Sequence, residues 1–510
     1  MTTGTTTPAS APSADAGAGT GTGPSADAWD PGAAAARATA AILDDVRRGP
    51  ERATLVDSPP GAGKSTLVVR AARELVAAGE RLMIVAQTNS QVDDLVERLA
   101  ADAPDVTVGR LHSKEARPSA HVLRHGNVTA STQVAELLEH DVVLSTAAKW
   151  QWVQSAGPDG GSGGGRGGSS GGVRPWRHAI VDEAYQMRSD ALLAVGRLFE
   201  RALFVGDPGQ LDPFTMVDNE RWAGLDHDPS SSAVATLLAH HPRLRPHRLP
   251  VSWRLPASAA PLVSRAFYPE VPFRSGTGPG DRRLELSAPT GGTAYDEVVE
   301  TAAASGWGLL ELPAGFAVRT DPEAVRATAR VVRTLLDRSA VAHSERGAAP
   351  VTADRIAVGT AHRDQAAAIR AALAELGVPT EGGAAAPDAG ADADSGGPEG
   401  VPAAAPGVTV DTANRLQGRE YDVTVVLHPL SGRSDATAFH LEAGRLCVLT
   451  SRHRHACVVV TRAGLPELLD AHPSAEPVRL GIPATPVPDG WEANHAVLQA
   501  LAAHRVRVPG

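Results

Sequence analysis

Short, almost wholly apolar runs recur along this chain and alternate with longer stretches whose apolar positions return every three or four residues. The runs Ala53–Asp57, Leu82–Ala86, Asp141–Ser145, Ala179–Asp182 and Ala202–Gly206 predict strands buried on both faces. A second set, Arg355–Gly359, Asp422–Leu427 and Ala456–Thr461, repeats the pattern. Between them Ser65–Ala78, Ser90–Ala101 and Arg363–Leu376 carry helical periodicity. Strands alternating with helices predict an α/β protein with parallel sheets covered on both faces, and the break near 235–250 predicts two such domains. The expected bounds are a disordered tail at 1–30, domains at 31–240 and 241–480, and a C-terminal extension at 481–510. Two low-complexity stretches interrupt the pattern, a Gly/Ser loop at 157–172 and an Ala/Gly/Pro/Asp insert at 380–407.

Length and composition agree with two to four domains: the chain has 510 residues, and 42% of them are hydrophobic, enough for sizeable cores. No run of eighteen apolar residues occurs, so no membrane partner is expected. The stretch before Arg37 has neither the charged start nor the apolar block of a secretory signal. Two cysteines, Cys447 and Cys457, fit a reducing cytoplasm and are too few for a Cys-rich zinc site or an iron–sulfur cluster.

The formal charge of −10 argues at first against a polyanionic partner. It is unevenly placed. Asp15, Asp27 and Asp30 in the tail and Glu381, Asp388, Asp392, Asp394 and Glu399 in the insert have no basic residue beside them, so the rest of the chain is near neutral. Such a body accommodates a modest cationic groove that grips nucleic acid weakly and with strong salt dependence.

The sharpest local signal is Ser58-Pro-Pro-Gly-Ala-Gly-Lys-Ser65, set between a predicted strand and a predicted helix. Glycines there let successive backbone N–H groups face a phosphate at the helix N-terminus, with Lys64 on the β/γ-phosphates and the Ser65 hydroxyl on Mg²⁺. Pro60, Gly61, Ala62, Gly63 and Thr66 complete the cradle, and the one departure from GxxxxGK[ST] is Ser58 in place of glycine. Farther on, the strand Ala179–Asp182 ends in adjacent carboxylates, Asp182 and Glu183. A hydrolytic ATPase needs one acidic group for the Mg²⁺ shell and another to orient water, and Asp182 and Glu183 suit those roles. Phe204-Val-Gly-Asp207-Pro-Gly-Gln210 places a glutamine in a turn after another strand, suited to sensing the γ-phosphate.

In this order the segments resemble a superfamily 1 ATP-dependent helicase, specifically the 1B branch related to the nonsense-decay RNA helicase. Val85–Asp93 resembles motif Ia, Val142–Thr146 the next strand-contact motif, Asp182–Gln186 the DEAxQ motif and Gly206–Pro213 the GDxxQLxP motif. Ser252-Trp-Arg-Leu-Pro256 with Phe267-Tyr268 resembles motif IV, Gly359–Gln365 the TPYxxQ segment, Thr412–Glu420 motif V, and Arg445–Arg454 a degenerate motif VI. The resemblance covers roughly 50–465 and implies two tandem RecA-like P-loop domains with ATP and Mg²⁺ in the cleft between them. It further implies γ-phosphate contacts from Arg254 and from Arg452 at the arginine-finger position, nucleotide contacts from Gly418 and Glu420, and 5′–3′ movement along the strand. Backbone contacts to single-stranded DNA or RNA would come from Thr88, Asn89, Ser145, Thr146, Arg363 and Gln417. Cys447 and His453 depart from motif VI, and where the family places an adenine-contacting glutamine, near 33–36, this sequence has Gly32-Ala-Ala-Ala-Ala-Arg37.

Independently of the resemblance, a cleft closes on ATP only if the second domain offers it positive charge, which arginine supplies by forking onto phosphate oxygens. Additional surface candidates are the basic run Arg243, Arg245, His247 and Arg248, together with Lys149, Trp150 and Trp152. Residues 100–140 are too few for a large accessory barrel, so translocation with little unwinding is one expectation. The leading expectation is an ATP-driven helicase or translocase, and the alternative is a nucleic-acid-independent NTPase switch.

Overall fold

The computed structural model describes residues 29–154, 176–211, 231–317, 319–381, 406–473 and 489–509, with a few isolated positions between 213 and 229. The glycine-rich stretch 157–172 and almost all of the expected tail and of the insert 380–407 lie outside the described residues.

The first group of apolar runs forms one sheet of eight strands: β1 (Ala53–Asp57), β2 (Leu82–Ala86), β3 (Val108–Leu111), β4 (Val128–Ser131), β5 (Val142–Thr146), β6 (Trp176–Asp182), β7 (Phe199–Gly206) and β8 (His247–Arg248). Their order is β4-β3-β5-β2-β6-β7-β1-β8, and every pairing is parallel. Parallel strands need covered faces, and the helix Lys64–Ala77 supplies cover by burying Leu67, Val68, Ala71, Ala72 and Leu75 against Leu82, Ile84, Ile180 and Leu203. Each such aliphatic side chain removed from water is worth about 1.5–3 kcal/mol.

The rest of the chain adds β9 (Val251–Ser252), β10 (Arg274–Ser275), β11 (Arg283–Leu286), β12 (Trp307–Leu312), β13 (Ala340–Ser344) and β14 (Gly347–Pro350). These are followed by β15 (Ile356–Thr360), β16 (Thr409–Thr412), β17 (Tyr421–Leu427), β18 (His453–Arg462) and β19 (Arg505–Arg507). Six of them make a second, wholly parallel sheet in the order β16-β15-β17-β18-β12-β19. The helix Pro322–Asp337 covers one face with Val325, Val331, Val332 and Leu335. Ala260–Phe267, Ala443–Thr450 and Gly490–Leu501 cover the other. Two parallel sheets sheathed in helices are the architecture of two RecA-like units.

Several boundaries differ from the sequence expectation. His247 and Arg248 pair with β1, so the first sheet reaches past residue 240. The stretch 481–510, expected as an extension, is integral where it is described: its helix Gly490–Leu501 packs in the second core and β19 completes the second sheet. Asp30, counted with the tail, caps the helix Pro31–Arg48 by accepting from Ala33 N at 3.0 Å. Glu381 pairs with Arg419 at 2.9 Å rather than standing alone. Among the described residues no helix is long and apolar enough to cross a membrane.

The register fixes where chemistry can gather. Asp57 lies beside Gly206, and Asp182 beside Val205, so β1, β6 and β7 deliver their carboxyl ends to one edge. In open parallel sheets that edge is where ligands bind.

Candidate nucleotide site and inter-domain cleft

The loop after β1 turns through Gly61 (φ 72°) and Gly63 (φ 89°), conformations that glycine adopts freely, and launches the helix Lys64–Ala77. Gly61 is required twice over, since a Cβ there would overlap Cβ of Arg254. The Ser252 hydroxyl donates to Pro60 O at 2.6 Å and Trp253 N donates to Gly61 O at 2.8 Å. The phosphate loop is thereby roofed by the segment that carries Arg254.

Lys64 reaches across the loop to the end of β6, where its ammonium contacts Glu183 Oε1 and lies 3.9 Å from Asp182 Oδ1. Burial opposes the lysine charge, but the carboxylates of Glu183 and Asp182 outweigh it and hold the pKa above its usual value. Asp182 is pushed up to about 6 by burial, against the pull of Lys64. Glu183 adopts φ 53°, a left-handed conformation rare outside glycine and worth roughly 1–3 kcal/mol of strain. Asp182 Oδ1 and Glu183 Oε2 are buried without hydrogen-bond partners. Two orphaned carboxylate oxygens beside the Lys64 ammonium are acceptors suited to a hard divalent cation and its water.

The loop after β7 ties the two units together. Asp207 is buried and is pushed up to about 6 by that burial, although Tyr268 and Lys64 favour its charged form. Its Oδ1 accepts from the Tyr268 hydroxyl at 2.6 Å and from Gly209 N at 3.0 Å, while Oδ2 accepts from the Gln210 amide. Gln210 Oε1 in turn accepts from Gln417 Nε2 at 2.7 Å. The Tyr268 hydroxyl also sits 3.4 Å from Cys447 Sγ, the cysteine that departs from motif VI. Close packing enforces the arrangement: a Cβ on Gly209 would fall 2.5 Å from Tyr268 Cζ, and one on Gly444 would fall 2.5 Å from Gln210 O.

The expected arginines are placed differently from one another. Arg254 lies at the roof of the loop and donates from Nε to Glu420 Oε2 at 3.0 Å, and Arg454 pairs with the same carboxylate. Burial pushes Glu420 up, but these two guanidinium groups prevail and hold it below the usual carboxylate range. Glu420, expected at the nucleotide, is thus engaged with arginines, and Gly418 is an exposed turn at φ 81°. Arg452 is only 1% exposed and donates to Val448 O at 3.1 Å and Ser451 Oγ at 2.9 Å. Burial and the nearby Arg254 lower its pKa to about 10. Its guanidinium is therefore engaged with its own helix in this conformation, and a finger role requires it to leave those carbonyl and hydroxyl partners.

Of the expected strand contacts, Thr88 is exposed and caps the helix Asn89–Asp102, accepting from Gln91 N at 3.3 Å. Asn89 is held by Arg110 Nη2 at 2.8 Å, and Arg110 is itself anchored to Asp93 at 2.9 Å. Thr146 caps the following short helix at 3.2 Å, Arg363 is exposed, and Gln417 faces a cavity of about 540 Å³ between the units. Gln87, Ala148, Gln186 and Asn414 line the same cavity. Ser145 is a correction: it is 0% exposed and donates to Leu111 O at 2.6 Å, so its hydroxyl points into the fold. The basic run is engaged locally, with Arg243 near Glu51 at 3.5 Å and His247 on Asp45 at 3.0 Å. Trp150 is core, whereas Trp152 is 84% exposed on a turn whose flanking carbonyls, Gln151 O and Val153 O, are held by Arg197 at 3.1 and 3.0 Å.

Two contributors escaped the sequence reading. Tyr268 follows Phe267 in the stretch that resembles motif IV, and its link to Asp207 depends on folding across 61 positions. Trp253 lines a cavity of about 260 Å³ beside Gly63 and Thr66, together with Ala35, Ala36 and Thr39. The alanines belong to the stretch Gly32–Arg37, which holds no glutamine.

Residues 36–153 match the AAA domain family. Over 201 residues, 39% of this chain, the sequence is 24% identical to the DNA replication ATP-dependent helicase/nuclease DNA2 of Saccharomyces cerevisiae, and the match spans 12% of that protein. Among solved structures the chain is similar to the PRRSV helicase, at 12% identity and a TM-score of 0.38, with 85% of this chain and 56% of that one covered. Arterivirus nonstructural protein 10, a helicase, is matched at 14% identity and a TM-score of 0.37, with 84% of this chain and 61% of that one covered. The similarity is thus to helicase-type ATPases, and this chain spans less than two thirds of the length of each.

Proposed function

We propose that this chain is an ATP-hydrolysing motor of the superfamily 1 helicase type that moves along single-stranded nucleic acid. The observation that carries the reading is the chain of contacts from the phosphate loop to the second unit. Lys64, Asp182 and Glu183 converge under the loop, and Asp207 and Gln210 connect that cluster to Tyr268 and Gln417.

In this mechanism the backbone N–H groups that open the helix Lys64–Ala77 receive the phosphates, and Lys64 exchanges its carboxylate partner for phosphate oxygens. Asp182 and Ser65 would hold Mg²⁺, which supplies charge neutralisation on the β/γ-phosphates. Lys64 then no longer restrains Glu183, which orients and deprotonates the attacking water as a general base. Arg254, at the roof of the loop, approaches the γ-phosphate from the far side of the cleft. Gln210 carries the state of that phosphate to Gln417, and cleft motion becomes motion along the strand. The strand itself crosses the inter-domain cavity that Gln417 lines, and Thr88, Thr146 and the exposed Arg363 are its further proposed contacts. The 1B branch is proposed from the resemblance of the motifs, and the 5′–3′ direction rests on that branch alone.

Steady-state ATP hydrolysis with and without single-stranded DNA and RNA tests this. Strong stimulation by either polymer, lost in Lys64→Ala, supports the motor. A basal rate that neither polymer alters supports the switch instead, a reading favoured by the engaged state of Arg452. A stimulated rate unchanged in Lys64→Ala would overturn the site assignment.

A further inference from the structure

Arg254 stands on backbone that belongs to neither a helix nor a strand. Residues 253–255 form a bend between β9 and the helix Ala260–Phe267. Their three successive carbonyls are taken instead by side chains from one later segment. Ser275 Oγ donates to Leu255 O at 2.8 Å, while Arg282 donates from Nη2 to Trp253 O at 2.9 Å and from Nη1 to Arg254 O.

Arg282 is itself aimed by a second residue. It stands at the foot of β11, which pairs antiparallel with β13 so that Arg283 faces His343. That register brings the turn between β13 and β14 to Arg282, and Glu345 in this turn accepts from Nη2 at 2.6 Å and from Nε at 3.1 Å. Four of the five N–H groups of the guanidinium are thus spent on two carbonyls and both oxygens of one carboxylate. The hydrogen bonds from Arg282 hold the Glu345 carboxyl down at about 2, so the pair stays ionised at neutral pH. The Arg282 side chain is 7% exposed and that of Glu345 is 48% exposed. An ion pair so open on one partner adds little to stability, but its forked geometry fixes a direction. The small sheet is anchored in the second unit, since Leu284 of β11 lies in that core and His455 Nε2 of β18 is 3.0 Å from His343 O.

The bend therefore has a tether on each side of the cleft. Toward the first unit, Ser252 and Trp253 bond the phosphate loop, and a Cβ on Gly61 would fall 2.2 Å from Cβ of Arg254. Toward the second, Arg282 holds the carbonyls. The Arg254 side chain is tied to Glu420, and its guanidinium has to give up that partner to meet a phosphate. During such an exchange the backbone contacts keep the residue in place.

We propose, on the reading of Arg254 given above, that Arg282 is a positioning residue for it. By holding the carbonyls of Trp253 and Arg254 it fixes where the Arg254 side chain starts, and Glu345 in turn fixes Arg282. The sheet of β11, β13 and β14 then acts on hydrolysis from a distance, through the roof of the phosphate loop.

The test uses Arg282→Lys on the full chain, which keeps the charge but cannot fork onto two carbonyls and a carboxylate. With saturating single-stranded oligonucleotide, kcat should fall by about ten- to a hundredfold, the scale of an ångström-sized misplacement, while KM for ATP stays near the wild-type value. In an Arg254→Ala background the same substitution should cost less than about twofold further, because nothing is left to position. Losses that multiply in the double variant would overturn the proposal. Hydrogen exchange read by mass spectrometry is independent of turnover. The amides of Trp253 and Leu255, bonded to Gly61 O and Ser252 Oγ, should exchange about tenfold faster or more in Arg282→Lys. Unchanged exchange would equally overturn it. Glu345→Gln, a milder change on a half-exposed turn, should show the same split between kcat and KM at several-fold size, and wild-type kcat in both variants would refute the positioning role. A wild type that hydrolyses nothing, together with quickened exchange in Arg282→Lys, would sink the motor reading and leave the clamp on the roof standing.

Discussion

Replacing Tyr268 by phenylalanine removes one oxygen from the point where the two units meet. The hydroxyl donates to Asp207 Oδ1 at 2.6 Å, and both residues are buried. A hydrogen bond to a charged group contributes about 1.5–3 kcal/mol. Because its partners sit on opposite sides of the cleft, that contribution belongs to the closed arrangement alone. Losing it disfavours closure by roughly ten- to a hundredfold, since each 1.4 kcal/mol is a factor of ten. Gly209 N still bonds Asp207, and the phosphate loop contains no atom of Tyr268, so nucleotide contacts survive. In a phosphate-release assay saturated with single-stranded oligonucleotide, kcat in Tyr268→Phe should fall by roughly ten- to a hundredfold. KM for the nucleotide should stay close to the wild-type value. Gly209→Ala, which pushes a Cβ into the same ring, should reproduce the loss. A stimulated kcat within twofold of wild type in both variants would refute the coupling argument.

Asp207→Asn separates stability from activity. Burial raises the folded carboxyl from its unfolded value of 3.8 to about 6, so its stabilising contribution is complete below about pH 3.8 and is lost as pH rises through 6. At pH 7 the nucleotide-free variant should therefore be more stable by up to about 3 kcal/mol, with a flatter melting profile between pH 4 and 6 and a lower stimulated rate. Thermal melts across that range check it. Glu183→Gln keeps the loop intact but removes the base, so hydrolysis should drop by roughly 10²–10⁴-fold while fluorescent-nucleotide affinity is retained. Asp93→Ala strips the carboxylate from the buried Arg110, at a cost of about 3–5 kcal/mol, and calorimetry should show the first unit melting roughly 10 °C lower.

The strands that were legible in the sequence are those buried on both faces, because a short, mostly apolar, β-branched-rich run between turn residues fits a strand covered on both sides. Val142–Thr146 and Tyr421–Leu427 are examples, each displaced by one residue from its expected start. β3 was not legible: Arg110 sits in the middle of its four residues, and only the folded chain reveals Asp93 as its partner. β8 and β19 are two and three residues long, too short to carry a period. The phosphate loop and the carboxylates after β6 were readable because their spacing is local. Tyr268 on Asp207, Gln417 on Gln210 and Trp253 against Gly63 are contacts between distant segments, and no periodicity announces them. Ser145 misled for the same reason, since whether its hydroxyl faces a groove or Leu111 O is settled by β3 lying alongside.

The central claim is that one cleft binds nucleotide and strand and that each changes the affinity for the other. Binding of a fluorescent single-stranded oligonucleotide should be measured with no nucleotide, with ADP and with a non-hydrolysable triphosphate, each with Mg²⁺, and the converse nucleotide titration should be run with the oligonucleotide present. The account predicts a several-fold change in strand affinity between nucleotide states and the same factor in the converse titration, as linkage requires. Strand affinity that is identical in all three states would contradict it.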